Sequence, residues 1–420
     1  MNSERVAQTF ERGRDESSQP SREQYQRLGS DAMRQKEPEP TAKKLLEQRP
    51  PTVLTLETFA GVYPNAKLRR DQAYVDRLDE MFDRDPDSGK AAKSFEKLFI
   101  YGVQTGAWLG NLPGADGHPP FITKTFESTK YDDYRHRVDS FTTVKFAEKV
   151  QTETGTLKGL PLAFDVTINS SREKIMDKLT RCYNDGAELP FGFTHLDYYT
   201  NGRTAGECEI LPRYVIGVDS SEAQELSEQF TRRMADGRPS PIKLLSAQNL
   251  YTRFMVLSEI RAQNMLFQAM LPDDAYDSPD IKMKKACAYL EATDNQLNTA
   301  LLICANEMVQ RRCLPTEVLE KIERDGKAQS TRKTIEDYML KSRHENFVER
   351  QREYARRNGT IFDPNAGEDD TYVQIVTCAR ELEQATYDET SYPEVAARRH
   401  MMTQNQKLEL GDAEPERRSA

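Results

Sequence analysis

Two rhythms of apolar residues divide the chain. Tyr74, Val75, Leu78, Met81 and Phe82 fall on one face of a 3.6-residue repeat, and Phe95, Leu98 and Phe99 form a second stripe. That spacing predicts helices over 53–115. From about residue 120 the period shortens to two. Ser140–Phe146 alternates with β-branched and aromatic residues, Leu160–Ile168 is a nearly continuous apolar run broken by Asp165, and Phe191–Tyr199 and Tyr214–Val218 are further strand candidates. A helix is predicted between the second and third strands. Ser170 or Ser171 can cap it, Ile175, Leu179 and Cys182 form its buried side, and Gly186 ends it. Past Asp219 the pattern is helical again. Ser220 caps a helix through Met234, and Pro241 opens a longer one carrying Leu244, Tyr251, Phe254, Leu257 and Met265. Leu297, Leu301, Cys304 and Met308 mark a third, and a charged helical stretch runs from Pro315 to about Arg357.

This order of elements predicts an α/β fold: a mixed central sheet flanked by helices, with a helical C-terminal region. A length of 420 residues suggests two structured units plus tails. The expected division is a disordered tail over 1–50, a helical segment over 53–115, an α/β core over 120–235, a helical region over 240–358 and a disordered tail over 404–420. Both tails lack the apolar surface needed to offset the entropy of ordering. The Gly- and Pro-rich loop from Gly106 to Pro120, which holds Trp108, reads as the boundary before the core.

Charge refines the picture. The formal net charge is -9, which gives no global attraction to nucleic acid or an anionic membrane, though a local basic face is still compatible with it. Lys341, Arg343, Arg350, Arg352, Arg356 and Arg357 concentrate positive charge late in the chain, but Glu345, Glu349 and Glu353 dilute it, so this reads as a solvated helix surface. The N-terminus has no apolar targeting segment and no stretch approaches the length of a membrane span, so a cytoplasmic protein with no membrane partner is expected. The six cysteines show no CxxC spacing and are expected to be free thiols in a reducing compartment.

Several candidate motifs fail on inspection. Asp83–Lys90 alternates aspartates as a calcium loop does, yet Ser88 occupies the turn position and Ser94 the twelfth, where a bidentate glutamate belongs. His195 is a lone histidine on a strand and reads as a core or surface residue. The informative residues are Tyr131-Asp132-Asp133, Val138-Asp139, Asp165-Val166-Thr167 and Arg172-Glu173-Lys174. Asp165 interrupts an apolar strand, and a buried carboxylate needs a cation, a donor or a metal. Asp139 opens the preceding strand. If the two strands pair, the acids can lie together, and Mg²⁺ is commonly held by one or two such carboxylates. Alternatively the acids pair with Arg135, Arg137 or Lys174 and only fix the core.

The run Val138-Asp139, a strand, Asp165-x-Thr167 and a helix resembles the core of the PD-(D/E)XK nuclease superfamily. A wider pattern ending in Ile216-Gly217-Val218-Asp219 resembles a group of uncharacterised bacterial proteins. The likeness covers about residues 120–270. It implies a restriction-endonuclease-like sheet and metal-dependent hydrolysis of DNA or RNA. It further implies that Asp139 and Asp165 hold the metal and that Lys174 substitutes for the usual lysine, whose place Thr167 occupies. Glu127, or Asp133, matches a further acid that an upstream helix often supplies. The alternative is a catalytically inactive member of the fold that serves as a binding or scaffolding module.

Overall fold

The computed structural model describes residues 52–82, 90–104, 108–109, 121–168, 171–180, 189–219, 223, 247–359 and 369–386. The expectations for the two tails, for Asp83–Gly89, and for nearly all of the loop before the core and of the helix from Ser220 lie outside them.

The sheet is mixed, as the alternation of strands and helices predicts. It comprises β1 (Thr52–Val53), β2 (Phe121–Glu127), β3 (Ser140–Thr152), β4 (Gly155–Thr167), β5 (Phe193–Thr200) and β6 (Ala205–Gly217), in the order β1-β2-β3-β4-β6-β5. β2, β3 and β4 form an antiparallel meander, β6 returns parallel to β4, and β5 pairs antiparallel to the outer side of β6. A parallel return needs a crossover, and the helix of Arg172–Thr180 provides part of it. β3, β4 and β6 extend further than the apolar pattern indicates. Their outer halves carry polar, exposed residues such as Lys149, Gln151 and Glu209, and are held by ladder pairing together with contacts to α6, where the Thr154 hydroxyl donates to the Lys284 carbonyl at 2.9 Å.

The helices are α1 (Asn65–Phe82), α2 (Lys90–Gln104), α3 (Lys130–His136), α4 (Arg172–Thr180), α5 (Ala247–Ala269), α6 (Ile281–Gln310), α7 (Thr316–Asp325), α8 (Ala328–Asn358) and α9 (Thr371–Ala385). Because side chains alternate along a strand, β4 separates two apolar layers. Leu160, Leu162 and Phe164 join a large cluster with Phe99 of α2, Phe254 and Leu266 of α5, and Ile375 of α9. Ala163 faces the other way, with Phe126, Phe141, Leu196, Tyr198 and Leu211. The segments before and after the sheet thus share one core with it, through contacts such as the edge-on packing of Phe99 against Phe164. The charged stretch after Pro315 is two helices, because Gly326 adopts a left-handed φ of 64° and closes α7. On α8, Arg343 pairs with Asp370 and Arg350 with Asp219, so two of the clustered basic residues are committed to the fold. Among the described residues no helix is long and apolar enough to cross a membrane, and the described cysteines carry no disulfide.

β6 has an uncommon edge. Its pairing with β5 stops at Pro212, and an unpaired buried ladder is costly. Side chains of α5 take over. Gln263 accepts from Val215 N at 2.8 Å and donates to Val215 O at 2.7 Å, and Glu259 accepts from Gly217 N at 3.3 Å. Gly217 allows this close packing. A Cβ there would lie 2.8 Å from the Thr167 carbonyl of β4 and 2.5 Å from the Thr371 methyl of α9. Gly217→Ala is therefore expected to lose about 1–3 kcal/mol, the scale of overpacking a filled core. A urea midpoint equal to that of the wild type would show that the two strands can part without cost.

Candidate functional site

Asp139 and Asp165 come together. Asp139 immediately precedes Ser140, the partner of Phe164, and its N–H donates to the Phe164 carbonyl at 2.9 Å. Its carboxylate accepts the N–H of Val166, so the side chain continues the ladder where the regular register ends. Asp165 is 5% exposed and accepts two cations: Lys178 Nζ lies 2.5 Å from Oδ1, and the Arg213 guanidinium donates to Oδ2. Arg213 is itself buried and donates through Nε to the Arg137 carbonyl at 2.9 Å. That carbonyl is presented by a left-handed Arg137 (φ 55°), which ends α3.

Two further acids complete the cluster. Asp133 of α3 shares a hydrogen bond with Asp139, and Glu96 of α2 lies within electrostatic reach of Asp133, Asp139 and Glu127. Burial and crowding keep protons here. Burial, then the charges of Asp165, Asp133 and Glu96, push Asp139 well above the usual carboxylate range. Burial and Asp165 push Asp133 up to about 6, against the pull of Arg137. Burial, Asp133 and Glu127 push Glu96 up to about 8. Burial would raise Asp165 as well, but Lys178 and Arg213 outweigh it and hold that carboxyl below its ordinary value. The cluster therefore contains one firmly ionised carboxylate among acids that share protons.

Two expected residues are displaced. Lys174 is exposed on α4, and Lys178, one turn later, reaches Asp165. The cause is the crossover geometry. Asp165 lies two residues, about 6.6 Å, back from the end of β4. A returning helix must travel a similar distance before it is level with that carboxylate. Lys178 is six residues into α4, about 9 Å along the axis, whereas Lys174 has covered only about 3 Å. Glu127 sits at the end of β2 and not on a helix; the helix-borne acids beside the pair are Asp133 of α3, the other residue expected there, and Glu96 of α2. Arg135 is exposed, and the arginine that meets Asp165 is Arg213. Arg213 had a visible signal, a lone charge inside Ile210–Ile216.

The opposite side of α3 builds a second constellation. Asp132 is fully buried and accepts Asp197 N at 2.9 Å, Tyr198 N at 3.2 Å and the Thr129 hydroxyl at 2.9 Å, which fastens α3 onto β5. Its neighbour Asp197 receives His136 Nε2 and Lys67 Nζ, both at 2.9 Å. Burial opposes ionisation of Asp197, but those two partners hold it far below the usual carboxylate range. His195 is not isolated: its ring centroid lies 3.9 Å from that of His136. No family model, curated protein or solved structure matches this chain, so its chemistry has to be read from these two clusters.

Proposed function

We propose that the protein is a metal-dependent phosphodiesterase acting on nucleic acid, with Asp139 and Asp165 as the metal-holding pair. The observation that carries the reading is the meeting of these two acids, from adjacent strands, with Lys178 from the following helix. The donors are carboxylate oxygens, which suit a hard divalent cation such as Mg²⁺, and the protons crowded onto Asp139, Asp133 and Glu96 are ones such a cation can displace. When bound, the cation would supply Lewis-acid stabilisation of a phosphodiester and a more acidic water. Lys178 would place a positive charge beside the scissile phosphate.

One observation favours a second reading, a non-cutting module of the same architecture. Arg213 already occupies the second oxygen of Asp165, so the cluster can be satisfied internally as an ion-pair network. Mg²⁺ titration calorimetry, combined with cleavage of labelled DNA and RNA, separates the two. The hydrolase should bind Mg²⁺, lose that binding in Asp165→Asn, and cut only with the metal. Lys178→Met should lower cleavage at least about a hundredfold, the scale of removing one electrostatic donor, while Lys174→Met leaves it unchanged. Failure of the wild-type protein to bind Mg²⁺ would end the hydrolase reading and leave the module.

A further inference from the structure

The second constellation has its own chemistry. His136 is the last residue of α3, and His195 and Asp197 alternate along β5, so those two project from one face of the strand. Asp197 Oδ2 lies 2.9 Å from His136 Nε2 and 3.8 Å from His195 Nε2. All three ligand atoms lie within 4.8 Å of one another. A tetrahedral zinc centre has bonds of about 2.0–2.2 Å to such atoms, which places the ligand atoms about 3.3 Å apart. The observed separations bracket that value. His195 is 34% exposed at its side chain, so the point between the three groups has a side open to solvent.

Charge points the same way. Asp132 Oδ1 lies 3.9 Å from His136 Nε2 and Asp197 Oδ2 lies 2.9 Å from it, while Lys67 meets the other oxygen of Asp197 at 2.9 Å and Glu207 at 3.4 Å. Two buried or half-buried carboxylates beside the imidazoles favour a bound cation. The surroundings are also fixed. Lys67 holds the other oxygen of Asp197, Asp132 holds the Asp197 and Tyr198 N–H groups, and Tyr63 donates to the Asp197 carbonyl at 2.6 Å. Outer contacts of this kind orient ligands at metal centres.

We propose that His136, His195 and Asp197 form a binding site for a divalent first-row transition metal, with Zn²⁺ as the cation best suited to two imidazoles and one carboxylate. This ligand set differs in kind from the all-oxygen acid cluster across α3, and the site does not depend on the hydrolase reading. Mg²⁺ prefers oxygen donors, whereas imidazole favours zinc and its neighbours in the first row.

The test is Zn²⁺ titration calorimetry on the full chain after chelator treatment, with Co²⁺ as a spectroscopic probe. One equivalent of Zn²⁺ should bind. His195→Ala should weaken it at least about tenfold, the lower end of what loss of even an outer partner costs. Asp165→Asn should leave it unchanged, which separates this site from the acid cluster. The Co²⁺ spectrum should lack thiolate charge-transfer bands, which excludes the cysteines. Independently of any variant, Co²⁺ should broaden the imidazole NMR signals of His136 and His195 and spare His344. Equal Zn²⁺ affinity in His195→Ala, no binding by the wild-type chain, or broadening confined to His344 would each overturn the proposal.

Discussion

Asp165→Ala is expected to remove about 3–5 kcal/mol of folding stability, the scale of breaking a buried ion pair by deleting one partner. The loss comes from what is left behind. Arg213 is 2% exposed and would keep the Arg137 carbonyl while losing its carboxylate. Lys178 is 30% exposed at its side chain, so it can turn toward water, and its share of the loss is small. One effect works in the opposite direction: removing the Asp165 charge relieves Asp139, which that charge pushes toward its protonated form. Urea denaturation reads the balance. The triple replacement Asp165→Leu, Arg213→Met and Lys178→Met should recover much of the stability, because well-packed apolar groups often replace a buried ion pair without loss. If Asp165→Ala alone costs under about 1 kcal/mol, Asp139 has captured both cations, and the two carboxylates are interchangeable in the fold.

How far the sequence reveals this site depends on which residues carry it. β3, β4 and α4 are legible because their periods are strong. A β-branched alternation, an apolar run and the Ile175–Leu179 stripe each state an element locally. Asp165 stands out for the same reason, as the one charge in the apolar run Leu160–Ile168. α3 is not legible. Its seven residues, Lys130–His136, have no apolar stripe, and it is held by the Thr129 cap and by Asp132 reaching across to β5. β1 and β2 lie at one side of the sheet and have little pattern of their own. The cluster itself joins residues 96, 133, 139, 165, 178 and 213. Periodicity predicts that Glu96 is helical; it does not say which neighbours the helix will bring to it. The same limit hid the second site, where His136 and His195 are 59 positions apart yet have rings in contact. The choice between Lys174 and Lys178 depended on rise per residue and strand length, which become decisive only once the end of β4 at Thr167 is known.

In a chelating buffer the protein should lose stability as the pH rises from about 5 to 8.5. Glu96 titrates near 8 in the folded protein, Asp133 and Asp132 near 6, and Asp139 well above its ordinary value, all because burial and neighbouring acids disfavour their charged forms. In the unfolded chain such groups ionise near pH 4. Between those limits the folded state binds more protons than the unfolded one, so stability falls with pH. The contribution is complete below about pH 4 and is lost as the pH passes each folded value. Asp165 and Asp197 behave oppositely, since their folded values are depressed, but their stabilisation is lost only on acidification below about pH 4 and lies outside this window. Glu96 alone would account for a loss on the order of 2–4 kcal/mol by pH 8.5. Urea midpoints at pH 5.5, 7 and 8.5 measure the slope, and Glu96→Gln should flatten the segment between 7 and 8.5. Mg²⁺ adds a discriminating arm. A cation seated between Asp139 and Asp165 takes the place of the displaced protons, so it should restore the midpoint most at pH 8.5, and its binding should release protons into the buffer. A midpoint that rises from pH 5.5 to 8.5 without metal would contradict the crowding of acids around Asp139. A falling midpoint that Mg²⁺ does not reverse would keep the crowding and assign the cluster to the internal ion-pair network centred on Arg213.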